Sequence, residues 1–162
     1  MLTTFRFLAT VFAVWALAGC AMIRAQQAEQ ARWQAMADTA VRYFQAASVY
    51  VTPISGICGR YFCTARTIEL GTIQPDGDVR WLLAHEIAHH LNGDCTEGIP
   101  ADEIRADLTA IKVLQVWGLT ESQAANEVAA MLRRTAKNGT MTGLRGHDAC
   151  AELAAVLRAY PV

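Results

Sequence analysis

The chain has no strong charge of either sign, no run of basic residues, no C-x-x-C pair and no apolar stretch long enough for a comfortable membrane span. Fourteen Lys and Arg stand against fifteen Asp and Glu, a formal net charge of -1. That balance gives no electrostatic reason to expect nucleic acid as a partner, and Arg133-Arg134 is only a short charged patch. Without C-x-x-C, a cysteine-built zinc site is disfavoured. Four prolines and eleven glycines in 162 residues, with no internal repeat, exclude a disordered or collagen-like chain. What is present, 53% hydrophobic and 18% charged residues, suits one globular domain.

Part of the apolar excess lies at the start. Arg6 precedes an apolar core from Phe7 to Leu17, shorter than the roughly 20 residues of a spanning helix, and small residues follow. Residues 1–19 are therefore expected to be a secretory signal. Leu17-Ala18-Gly19-Cys20 resembles the bacterial lipoprotein box, which implies cleavage before Cys20, acylation of that cysteine, and membrane attachment through it. Ala21 after the cysteine resembles the outer-membrane sorting choice, so the expected location is the bacterial cell envelope, on the periplasmic face of the outer membrane.

With Cys20 lipidated, Cys58, Cys63, Cys95 and Cys150 remain, an even number that fits an exported, oxidising setting. Four cysteines allow three pairings. The expected one is Cys58–Cys63, a local clip, with Cys95–Cys150 tying the middle of the chain to its C-terminal region.

Five helices and one strand region are expected. Residues 20–50 form an N-terminal helix from Ala21 to about Ser48, rich in Ala, Gln and Glu, and residues 51–162 form the domain proper. Pro53, Gly56 and Gly59 mark Val49 to Gly59 as a connector. Thr64 to Gly71 alternates as a strand, with Ile68 and Leu70 on one face. Asp78 is expected to cap a helix from Val79 to about Leu91, which stops at Asn92-Gly93. Pro100 opens a helix that ends at Gly118, Thr120-x-x-Gln123 is a capping-box pattern for another reaching Lys137, and Asp148 to Tyr160 is the last.

The chemistry is concentrated in His85-Glu86-Ile87-Ala88-His89, an H-E-x-x-H pattern. Residues four apart on a helix share a face, so both imidazoles can address one metal ion, while Glu86 is turned aside and can reach a water on it. Zinc (Zn2+) suits such donors because it takes nitrogen and carboxylate ligands in a tetrahedron. Two histidines leave it short of three protein ligands, and Glu103 is the expected third. Asp107, one turn later, is expected to hold the outer nitrogen of a zinc histidine. His90 points to another helix face, and Trp33, Trp81 and Trp117 read as packing residues.

Leu83-Ala84-His85-Glu86-Ile87-Ala88-His89-His90 followed by Glu103-x-x-Ala106-Asp107 resembles the gluzincin metallopeptidases, in particular their minimal M48-like domains. The resemblance covers roughly Thr67 to Trp117. It implies a mostly helical α+β, zincin-like fold, in which Ile68-Glu69-Leu70-Gly71 is an edge strand that pairs with extended substrate. It also implies a helper near the C-terminal side, for which Gly146-His147-Asp148 is the nearest match, lacking the family's proline and arginine. His147 is thus a candidate for steadying a developing oxyanion. The expected function is zinc-dependent endopeptidase hydrolysis of a protein or peptide in the envelope. The alternatives are a catalytically silent zincin-fold lipoprotein that binds or assembles, and a zinc hydrolase of cell-wall material.

Overall fold

The computed structural model describes residues 2–54, 56, 59–71, 76–96, 99–138 and 147–161, with side chains from residue 21 onward except those of 76–78 and 138. Cys58 and the side chain of Cys20 lie outside the described residues. The described chain is mostly helical α+β. In order it runs α1 (Leu2–Tyr43), β1 (Tyr50–Ile54), β2 (Gly59–Phe62), β3 (Thr67–Gly71), α2 (Asp76–Asn92), α3 (Pro100–Val116), α4 (Glu121–Asn138) and α5 (Ala149–Ala159). It divides into two units, Met1–Arg32 and Trp33–Val162. Among the described residues no helix is long and apolar enough to cross a membrane.

The larger unit begins earlier than residue 51, within the helix expected over Ala21 to Ser48. Trp33, Ala37, Ala40 and Val41 recur on one face of α1 and are buried in the same core as β3 and α2. α3 has its proline in the first turn as expected. At α4 the capping box forms reciprocally: the Gln123 side chain accepts from the Thr120 amide at 2.9 Å and Thr120 Oγ1 from the Gln123 amide at 3.3 Å. Asp148 caps α5, accepting from the Cys150 and Ala151 amides. α2 starts at Asp76, so Asp78 lies inside its first turn rather than ahead of it as a cap.

The sheet is larger than the sequence suggested. Its order is β1-β3-β2, with β1 parallel and β2 antiparallel to β3. The expected edge strand, Ile68-Glu69-Leu70-Gly71, is therefore the central one, paired on both sides, with Ile68 and Leu70 fully buried. It has no edge to offer a substrate. β1 occupies the stretch read as connector, and β2 begins at its last residue, Gly59, and runs through the span expected to be a Cys58–Cys63 clip. Pro53 pairs opposite Leu70 in an edge strand, where a missing amide is tolerated. The outer side of β1 is closed by one side chain of α1: Gln34 Oε1 accepts from the Val51 amide at 2.8 Å, and its Nε2 donates to the Val49 carbonyl at 2.9 Å.

Neither expected disulfide is present. Cys63 is bonded to Cys95, with Cα atoms 5.2 Å apart, and Cys150 is a free, exposed thiol. The reason is tertiary. β2 packs against α2, so the residue after β2 and the segment after α2 meet although 32 positions separate them.

Candidate metal centre

α2 and α3 build the site between them. Each carries fully buried alanines, Ala84 and Ala88 on one, Ala106 and Ala110 on the other, which let packed helices approach closely. His85 and His89 lie one turn apart on α2, and Glu103 and Asp107 one turn apart on α3. Their packing brings His85, His89 and Glu103 into one group able to hold a metal ion.

Its dimensions can be tested against an ion. His85 Nε2 lies 3.1 Å from His89 Nε2, and Glu103 Oε2 lies 3.2 Å from the first and 3.3 Å from the second. A tetrahedral ion with bonds of roughly 2.0–2.1 Å sets its ligand atoms about 3.3 Å apart. The triangle fits. It is also awkward without a cation: three imidazole nitrogens, those of His85, His89 and His147, stand 3.1–3.3 Å from Glu103 Oε2, more donors than its two lone pairs accommodate. A cation among these atoms removes the conflict.

Each imidazole is braced on its outer side. His85 Nδ1 is 2.9 Å from Asp107 Oδ1, as the sequence led us to expect. His89 Nδ1 is 3.1 Å from Asp94 Oδ2, a partner the sequence reading missed. Such carboxylates fix the tautomer that points Nε2 at the metal. The signal for Asp94 was local: Gly93, at φ 72°, ends α2 with a left-handed reversal that folds the next residue back over its last turn. Arg105 holds the other oxygen of Asp94 and also Asp102, at 2.8 Å.

Charge in the group is strongly perturbed. Burial alone would lower the pKa of His85, but its hydrogen bonds to Asp107 and Glu103 outweigh that and hold it well above the usual value. Burial also opposes the charged form of His89, but its hydrogen bond to Glu103 prevails and raises it, and the bonds from His85 and His89 hold Glu103 far below the carboxylate range against the effect of its burial. Glu86, almost fully buried, is raised by desolvation, with His85 and His89 opposing.

Three further residues shape the surroundings. Gly59 has no room for a side chain: a Cβ there would stand 2.7 Å from Glu86 Oε1 and 2.8 Å from Leu82 Cγ. The absence of a side chain is what lets β2 lie against the carboxylate of Glu86. The Trp81 indole packs against the His85 ring at 5.3 Å between centroids, one turn before it on α2. His147 is brought to the site, its Nε2 3.1 Å from Glu103 Oε2, and the buried Glu152 stands 3.3 Å from its other nitrogen. His90, by contrast, serves the fold. Its Nε2 donates to the Ala47 carbonyl and its Nδ1 accepts from the Tyr61 hydroxyl at 2.8 Å, tying α2 to β2 and to the loop after α1.

No family model, no curated protein and no solved structure matches this chain.

Proposed function

We propose that the chain is a zinc-dependent peptidase of the bacterial cell envelope, anchored through a lipidated Cys20. The observation that carries the reading is the tetrahedral spacing of His85 Nε2, His89 Nε2 and Glu103 Oε2 beside a buried carboxylate outside the ligand set. A site built only to hold a metal requires the three donors but not Glu86. When bound, zinc supplies a Lewis acid for the scissile carbonyl and makes a water acidic near neutral pH.

The protein's own groups do the rest. Glu86, buried beside the ligand set with its affinity for protons raised by desolvation, is the group we assign to take a proton from the attacking water and later return it to the leaving amine. His147 is the donor we assign to the charge developing on the carbonyl oxygen. With β3 enclosed, the substrate backbone is taken by β2, which has no strand on its other side among the described residues and starts beside Glu86.

The test is Glu86→Gln in the full chain loaded with zinc, assayed on a quenched-fluorescent peptide library. Cleavage should fall about 10²- to 10⁴-fold, with metal content and melting temperature unchanged. Undiminished cleavage by the variant, or none by the zinc-loaded wild type, overturns the peptidase reading. Mass spectrometry of the same protein taken from membranes checks the anchor: the mature chain should begin at an acylated Cys20. An unprocessed Met1, or a cleaved chain without acyl groups, overturns the lipid anchor.

A further inference from the structure

The Cys63–Cys95 bond closes a loop that contains β3 and all of α2, hence His85, Glu86 and His89. Its two ends are not neutral ground. Cys95 directly follows Asp94, which is buried and bonded to His89 Nδ1. Cys63 directly follows β2, whose first residue lies against Glu86. The brace on one zinc ligand and the strand beside the catalytic carboxylate are thus joined by one covalent link.

The other restraints on Asp94 are non-covalent. The buried Asp94 carboxylate is paired with Arg105, whose side chain is half-exposed, and the Asp94 amide donates to the His89 carbonyl at 3.0 Å. The Asn92 amide reaches Asp94 Oδ2 only at 3.5 Å. Cys95 itself is exposed, so a reductant can reach the bond.

We propose that this disulfide is a positioning element of the metal centre, so that metal affinity follows the thiol–disulfide state of Cys63 and Cys95. The proposal rests on the metal-site reading above. A dithiol attacks one sulfur, passes through a mixed disulfide, and leaves as a cyclic disulfide. Two electrons and two protons pass to the chain, giving two thiols. The segment carrying Asp94 is then tied to β2 by nothing covalent and keeps only its hydrogen bonds and the Arg105 pair, so the partner that orients His89 is held less firmly. Losing such a partner typically weakens metal binding ten- to a hundredfold.

The experiment measures the zinc dissociation constant of the full chain by competition with a chromophoric chelator. The oxidised wild type is compared with protein reduced by a phosphine that is then removed, and with Cys63→Ser and Cys95→Ser. Each single variant leaves the other cysteine as a thiol, so the double variant Cys63→Ser/Cys95→Ser is included to exclude capture of zinc by the freed thiols. Asp94→Asn sets the scale, and Cys150→Ser is the control that breaks no bond. We expect a loss of about ten- to a hundredfold on reduction, in both single serine variants and in the double variant, matched by Asp94→Asn and absent in Cys150→Ser. The visible spectrum of the cobalt-substituted protein should change with it, which a loss of global stability alone would not produce.

Circular dichroism establishes that each form is folded. Should the serine variants fail to fold, linkage supplies a second reading on wild type: zinc must oppose reduction by the same factor by which reduction opposes zinc. Equal zinc affinity in oxidised and reduced folded protein, or reduction indifferent to zinc, overturns the proposal while leaving the metal site standing. Failure of the oxidised wild type to bind zinc overturns both.

Discussion

Gly59 shows how a residue without a side chain can shape the surroundings of the His85-His89-Glu103 group. A methyl group at this position would stand inside contact distance of both Glu86 and Leu82. Leu82 belongs to the core and cannot yield freely, so Gly59→Ala must displace either β2 or the Glu86 carboxylate. We expect a loss of about 1–3 kcal/mol in stability, read by thermal melting, and a fall in peptide cleavage larger than any change in zinc affinity. A variant as stable and active as wild type would show that the close approach is immaterial. At this scale the sequence was only partly legible. His85, Glu86 and His89 announce themselves by spacing, and Glu103 and Asp107 follow from the same helical arithmetic one element later. Asp94 and Gly59 did not, because their roles come from a chain reversal and from a strand packed across a helix, neither of which spacing encodes. The disulfide escaped for the same reason: among three pairings, only packing of β2 on α2 selects Cys63 with Cys95.

Among elements, the helices were readable because each repeats apolar residues over several turns, and the last three carry start signals at Pro100, Thr120 with Gln123, and Asp148, whereas the starts of α1 and α2 were misplaced. β1 and β2 were not readable, since Pro53, Gly56 and Gly59 are punctuation in most chains. Here a proline sits in an edge strand and a glycine sits where a helix side chain presses in. What makes β1 a stable edge is Gln34, which returns a hydrogen bond to a backbone donor and to a backbone acceptor of the same segment. Gln34→Ala leaves both without that partner, at a part-buried location. The expected cost is about 1–2 kcal/mol, measured by chemical denaturation. The zinc stoichiometry should be unchanged, because β1 supplies no ligand. A cost near zero would mean that water replaces the glutamine.

For the molecule as a whole, metal binding and protonation are linked. His85 and His89 have pKa values raised above the usual one in the metal-free fold. A raised histidine contributes stability that is complete below about pH 6.5, its unfolded value, and is lost as the pH rises through the folded value. Zinc accepts only the neutral rings. Acid therefore favours the metal-free protein and opposes the metal, and the stabilisation by zinc should widen as the pH is raised from about 6 to 8. At a free zinc concentration a hundred times the dissociation constant it is about 2.7 kcal/mol. Melting curves with zinc and with chelator across this range check the sign. A gap that narrows with rising pH would show that the imidazoles are not the ligands.

The glutamine on β1 has one more consequence. Runaway stacking of sheets from copy to copy requires two sticky margins on every unit, one to receive and one to give. Among the described residues, the first margin of this sheet has its Val51 amide and the neighbouring Val49 carbonyl already taken by Gln34, so a visiting strand meets an interrupted ladder there. Pairing from copy to copy is disfavoured at that margin, while the other remains the natural place for an extended peptide.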